Sequence, residues 1–177
     1  VIVGWSVMMH DFDVQYQINR LRRLEKVLKD RANDECAIGD LYMIPEFAEI
    51  GCELAIITFS VMQNLNEKSL WYAVPFDQSD FMVGTWDVVV DESVTKCGGI
   101  LRCGRGIWVH SKDLPKDKRS GFVDISFVDE ARRMLRCLVG AEEVSWAKRD
   151  SVDTDPDYVE LLEDIAKACT AFELRTK

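Results

Sequence analysis

Short apolar runs separated by polar and glycine turns dominate the middle of the chain. From residue 81 to residue 110 the sequence reads FMVGTWDVVVDESVTKCGGILRCGRGIWVH. β-branched and aromatic residues are typical of strands, and glycines are typical of places where the backbone bends. The pattern predicts three strands, at residues 85–91, 99–103 and 106–110. The glycines of residues 97–106, which fall between these strands, predict a bulged or tight β-hairpin.

Other apolar runs, each bounded by polar or turn-forming residues, predict further strands at residues 1–10, 37–44, 52–62, 69–74 and 122–127. Residues 1–10 are apolar almost throughout, so we expect that strand to be covered on both faces. Residues 75–80, which open with a proline, are expected to form a loop. The short turns between consecutive strands from residue 52 onward favour antiparallel neighbours.

Helical spacing of apolar residues predicts three helices, from about residue 11 to 31, from about 129 to 139, and from 156 to about 174. Asp155 and Pro156 mark the start of the last helix, as its N-cap and first helical residue. That helix carries an apolar seam, which we expect to dock on the chain's own sheet. The seam consists of Tyr158, Leu162, Ile165, Cys169 and Phe172.

Together these elements predict an α+β fold, a mainly antiparallel sheet of about six or seven strands with three helices packed against it. A chain of 177 residues fits a single domain covering residues 1–177. The residues expected in the core are Leu21, Leu28, Ile56, Ile57, Phe59, Val88, Val90, Val123 and Ile125.

Charge and hydropathy narrow the classes of partner. The formal net charge is −9, which disfavours nucleic acid, because binding to polyanions depends on clustered Lys and Arg. No apolar run approaches the roughly 18 residues of a membrane-spanning helix, so no span is expected. Residues 1–9 are apolar but lack the basic start of a signal peptide. We therefore expect an intracellular protein.

The six cysteines, Cys36, Cys52, Cys97, Cys103, Cys137 and Cys169, include no CxxC pair. Their spacing favours neither a zinc site nor a disulfide framework. We expect free thiols in a reducing compartment, and we predict no metal and no cofactor.

Aromatic and basic residues near the glycine-rich stretch are the candidates for ligand or partner binding. They are Trp71, Trp86, Trp108, His110, Arg102 and Arg105. Catalytic residues cannot be assigned in this way. An acid–base site would need His10 and His110 to converge from the ends of two predicted strands, and a cysteine nucleophile would need a neighbouring base.

Three functions of different classes fit these observations. The first is a non-catalytic binding or interaction module, alone or as a subunit of a larger assembly, which takes a protein partner or self-associates. The second is a small-molecule sensor or carrier with an aromatic-lined pocket. The third is an enzyme that uses His10, His110 or a cysteine. We favour the first, because the sequence contains no specific catalytic motif.

The cysteine pattern can be tested directly. Mass measurement under denaturing, non-reducing conditions should return the mass of the fully reduced chain. A mass lower by two protons per bridge would contradict the expectation of free thiols.

Overall fold

The computed structural model describes residues 22, 36–59, 70–78, 82–91, 98–143 and 150–177. The strands and helices given below belong to the unit Glu35–Lys177. This unit has the predicted α+β architecture, an open antiparallel sheet with helices on its faces. The prediction of one domain over residues 1–177 stays a prediction. The strand predicted at residues 1–10 lies outside the described residues, as does the first predicted helix except for Arg22, which is helical and exposed.

Within the described residues the sheet contains seven strands: β1 (Asp40–Tyr42), β2 (Cys52–Phe59), β3 (Leu70–Asp77), β4 (Asp87–Val90), β5 (Gly99–Arg102), β6 (Ile107–His110) and β7 (Arg119–Phe122). The helices described are α1 (Pro45–Ala48), α2 (Ile125–Leu138), α3 (Asp150–Asp153) and α4 (Pro156–Thr176). The strand order is β4-β5-β3-β2-β1-β7, and β6 pairs with β3 beside β5. Each of these pairs is antiparallel, as predicted.

β5 and β6 form one interrupted strand along the same side of β3. β5 pairs with the C-terminal end of β3 and β6 with its N-terminal end. A 3-10 turn, Cys103–Arg105, joins them. The glycines of residues 97–106 thus serve two different places: β4 and β5 pair antiparallel at one, whereas at the other β5 and β6 pair with β3 and not with each other. A Cβ on Gly106 would lie 2.2 Å from the Tyr72 hydroxyl, so glycine lets the chain pass that side chain.

β3 continues through Pro75, where the sequence predicted a loop at residues 75–80. Pro75 lies opposite Leu54 of β2. On the other side of β3, residues 70–73 pair with β6 and residues 76–77 pair with β5, so Pro75 lies in the gap between these two pairings. A strand proline lacks an N–H to donate, and this interruption of the ladder accommodates it.

The strand predicted at residues 122–127 is also misplaced. The last strand ends at Phe122, and Asp124 caps a helix by accepting a 2.9 Å hydrogen bond from the backbone N–H of Ser126. Ile125 is therefore in the first turn of α2 and 56% exposed, so its predicted place in the core is wrong. The sequence does not separate the two possibilities, because an aspartate within an apolar run can cap a helix or can occupy a position in a strand.

The sheet separates two apolar clusters. α2 covers one face with Val128, Ala131 and Met134, which pack on strand residues that include Val88 and Val90. α4 and α1 cover the opposite face and pack on residues from β1, β2, β3 and β6. The core prediction is confirmed for Ile56, Ile57, Val88, Val90 and Val123. The side chains of Phe59, Leu21 and Leu28 are outside the described part.

The terminal helix docks internally, as predicted. Ile165 and Phe172 are buried in the cluster beneath α4, and Leu162 and Cys169 are partly buried against it. The Asp155 carboxylate accepts a 2.9 Å hydrogen bond from the backbone N–H of Asp157, so the predicted cap is confirmed. None of the described helices combines the length and the apolar character that crossing a bilayer requires.

Truncation of the α4 seam should measure this docking. Ile165→Ala should lower the free energy of unfolding by about 2–5 kcal/mol, because it leaves a cavity under the helix. Leu174→Ala is the matched control, since Leu174 is 67% exposed on the same helix. The control should change stability by less than about 0.5 kcal/mol in urea denaturation. Equal effects of the two substitutions would contradict the docking.

Candidate functional site

The six predicted binding residues do not form one site. Trp86 packs against the cluster under α2, whereas Trp71 packs against the cluster under α4, on the opposite face of the sheet. Arg102 is fully buried. The exposed members are Arg105, Trp108 and His110. They lie on β6 or in the turn that leads into it.

The Arg102 guanidinium is held by three protein acceptors. One terminal nitrogen donates to Asp87 Oδ2 at 2.6 Å and to the Met82 carbonyl at 2.7 Å. The other donates to Asp77 Oδ2 at 2.7 Å. A buried arginine is tolerated when its charge is balanced, and two buried aspartates balance it here, each accepting a hydrogen bond from a terminal nitrogen.

Asp87 connects this cluster to the terminal helix. Besides Arg102, its Oδ2 accepts hydrogen bonds from the Gly84 backbone N–H and from the Tyr158 hydroxyl, both at 2.8 Å. A Cβ on Gly84 would clash with the Tyr158 hydroxyl and an Asp153 carboxylate oxygen, so a larger residue here would have to displace these side chains. The ion cluster therefore fixes the N-terminal end of α4 on the edge of the sheet.

Contacts from two sides hold the loop before β4, which includes Met82 and Thr85. Met82 has a left-handed backbone conformation (φ 58°), which is uncommon for a residue with a side chain, and its carbonyl faces Arg102. The Thr85 backbone N–H donates to Asp153 of α3 at 2.8 Å, and the Thr85 hydroxyl bonds the same carboxylate. The loop thus carries contacts to β5 and to the α3–α4 corner.

The electrostatics of this cluster favour a structural role. Burial alone would lower the pKa of Arg102, but Asp87 and Asp77 outweigh it and hold that pKa above its usual value. Burial and the Asp87 charge raise the pKa of Tyr158, so the phenol keeps its proton and donates it. A ligand for Arg102 would have to displace acceptors that are already in place. We therefore interpret Arg102 as a core residue.

The described cysteines have the properties of core thiols. Cys36, Cys52, Cys103, Cys137 and Cys169 are free. Burial raises the pKa of the Cys36 thiol to about 11 and that of Cys52 to about 12. Burial also raises the pKa of Cys103 above its ordinary value. A thiol that stays protonated at neutral pH is a poor nucleophile, so these residues give little support to cysteine catalysis. Cys97 lies outside the described residues.

The histidine hypothesis gains no support from the described geometry. His110 is exposed at the end of β6. His10 falls outside the described residues, so its convergence with His110 stays a prediction. Across the residues that the structure describes, no three His, Cys, Asp or Glu side chains are grouped so that they could hold a metal ion.

A groove of about 500 Å³ lies on the outer face of α4. Its described lining residues are Glu163, Ala166, Lys167, Thr170, Ala171 and Leu174. None of these six is aromatic, so the described part of the lining does not supply the aromatic residues that the sensor hypothesis requires.

A half-exposed tryptophan lies on the described surface. Trp108 is 50% exposed and meets Tyr72 edge to face, with ring centroids 5.0 Å apart and planes at 65°. Ile107 and Val109 point into the cluster beneath α4, so the alternation of β6 places Trp108 and His110 on the opposite face. We call Tyr72, Trp108 and His110 the Trp108 surface.

β6 is also an edge of the sheet as far as the structure describes it, because its recorded pairing is with β3 alone. An edge strand presents one row of backbone N–H and C=O groups to its surroundings. The Trp108 surface thus combines an aromatic side chain with an available strand edge. Sequence analysis named Trp108 and His110 but not Tyr72, which is opposite Trp108 on β3. The pairing of the strands is needed to find it.

No protein-family model matches the chain, and no curated protein matches it either.

Arg102 lies directly before the turn that leads into β6, and Arg105 is the last residue of that turn. Together they provide a test of the buried cluster. Arg102→Met should lower the free energy of unfolding by about 3–5 kcal/mol, because it leaves two buried carboxylates without their cation. Arg105→Met, at an exposed position three residues later, should change it by less than about 0.5 kcal/mol. Urea denaturation followed by circular dichroism measures both. Similar losses for the two variants would contradict the structural role of Arg102.

Proposed function

We propose that the chain is a non-catalytic binding module that takes a polypeptide partner at the Trp108 surface. The observation that carries the proposal is the half-exposed Trp108 ring, which Tyr72 supports from the neighbouring strand. Tryptophan is enriched in the central contacts of protein interfaces, because it buries a large apolar area with little loss of conformational freedom.

The strand edge beneath the ring suggests how the partner binds. An extended segment that pairs with β6 would gain main-chain hydrogen bonds, and Trp108 would contact its alternate side chains. The β6 residues, Ile-Trp-Val-His, include neither lysine nor proline, the residues that usually protect edge strands. These features favour addition of a strand at this edge.

The other two hypotheses receive less support. The enzyme interpretation needs an activated nucleophile or a pair of converging acid–base groups, and burial raises the pKa of the Cys36, Cys52 and Cys169 thiols. The sensor interpretation needs an enclosed aromatic pocket, whereas two of the tryptophans pack on opposite faces of the sheet. The free thiols of the described cysteines favour an intracellular, reducing compartment.

Selection of short peptides tests the proposal without a known partner. Random ten-residue peptides displayed on phage should yield binders to the wild-type protein, and these binders should lose at least about tenfold in affinity against Trp108→Ala. Val139→Ala is the control, because Val139 is 79% exposed at the end of α2 and is not part of β6 or of the Trp108 surface. Circular dichroism should show that both variants are folded.

The proposal fails if selection enriches no peptide, or if the selected peptides bind Trp108→Ala as tightly as the wild type. Fluorescence anisotropy with synthetic copies of the selected peptides gives the affinities.

A further inference from the structure

One exposed cation lies just before β6 and one just after it, on a chain whose net charge is −9. We call the segment from Arg105 to Lys112 the frame. Arg105 ends the turn before the strand, and Lys112 lies in the turn Ser111–Asp113 directly after it. Both side chains are exposed. The carboxylate next to this frame, Asp113, is half-buried. Glu46 and, more weakly, Asp113 raise the pKa of Arg175 at the end of α4, so Asp113 also acts on a cation outside the frame.

We infer that the partner of β6 is an extended polypeptide segment with acidic residues at both ends. The inference rests on the proposed function and adds the chemistry of the partner. Opposite charges directly across a strand pair stabilise the pairing, and like charges destabilise it. A segment that pairs along β6 would place one end near Arg105 and the other near Lys112, and it would find a cation at each.

The same charges disfavour a second copy of this chain as the occupant. Two copies of β6 related by a two-fold axis would pair antiparallel. The Arg105 end of one copy would then face the Lys112 end of the other, and both contacts would be repulsive. An acidic segment makes two favourable contacts at the same places, so it is the occupant that the charges select.

Strand geometry sets the spacing of the acidic residues. Lys112 follows Arg105 by seven positions in the sequence. At about 3.3 Å per residue the frame spans at most about 23 Å, and the turns at both ends shorten it. The partner segment should therefore carry its acidic groups on either side of four to six central residues, roughly the length of one strand. An apolar or aromatic residue among these would contact Trp108.

Paired synthetic peptides test the inference. One has the sequence Asp-Glu-Thr-Val-Thr-Val-Thr-Glu-Asp, and the other replaces each acidic residue by lysine. Wild-type protein should bind the acidic peptide about tenfold more tightly at low salt, and the difference should shrink as salt screens the charges. The double variant Arg105→Glu/Lys112→Glu should reverse the preference and bind the lysine peptide more tightly.

The matched control is Arg133→Glu/Lys167→Glu, which changes the net charge equally at two exposed positions on α2 and α4. It should keep the preference of the wild type for the acidic peptide. Circular dichroism of each variant verifies the fold, and anisotropy with labelled peptides gives the affinities.

Three results would overturn the inference, and they separate it from the proposed function. If both peptides bind equally well and both lose affinity in Trp108→Ala, the partner is not acidic but the Trp108 surface still binds polypeptide. If the control variant reverses the preference as well, the effect comes from overall charge. If light scattering shows a wild-type dimer that Trp108→Ala converts to a monomer, a second copy occupies the edge.

Discussion

The buried ion cluster around Arg102 is the constraint on which the arrangement of this fold depends. Its two aspartates come from β3 and β4, and the arginine comes from β5. Tyr158 of α4 joins through Asp87. Taking one partner away would leave a desolvated charge, and that costs more than the loss of a contact between apolar groups. The cluster therefore specifies how three strands and the terminal helix meet, whereas apolar packing alone would tolerate alternatives.

Local chemistry accounts for the parts of the fold that the sequence predicts well. The last helix begins as expected because Asp155 and Pro156 are residues favoured at the N-cap and the first helical position. The run of valines in β4 predicts a strand equally well. The predicted elements are wrong at Asp124, where an apolar run that predicts a strand contains the cap of a helix. They are also wrong at Pro75, where the gap between β5 and β6 removes the cost of a proline that has no N–H to donate to a neighbouring strand.

The candidate site depended on contacts that sequence cannot supply. Arg102 and Arg105 are both arginines near the end of a predicted strand, yet one is fully buried and the other exposed. The difference comes from Asp87 and Tyr158, whose hydrogen bond spans 71 positions of the sequence. Among the described tryptophans, Trp71 and Trp86 are partly buried against the two apolar clusters whereas Trp108 is half-exposed, a difference that the residues around them in the sequence do not show.

The exposure of Trp108 follows from the interruption between β5 and β6. In β5, Arg102 points to the α4 face, where it meets Tyr158, and Leu101 points to the α2 face. On β3 the partners of Leu101 and Ile107 are three positions apart, whereas these two residues are six apart on their own strand. Between Leu101 and Ile107 the chain therefore contains three more residues than the facing part of β3. Because side chains alternate between the two faces of a sheet, an odd number of extra residues moves every later side chain to the opposite face.

Without the turn, uninterrupted alternation would place Trp108 on the same face as Arg102, beneath α4. With it, Ile107 and Val109 fill that position and the tryptophan emerges on the opposite face beside Tyr72. The turn therefore serves two purposes at once: it ends β5 with the arginine buried in its ion cluster, and it begins β6 with an aromatic ring exposed at a strand edge. The structural centre of the fold and its proposed binding surface are consecutive segments of one interrupted strand.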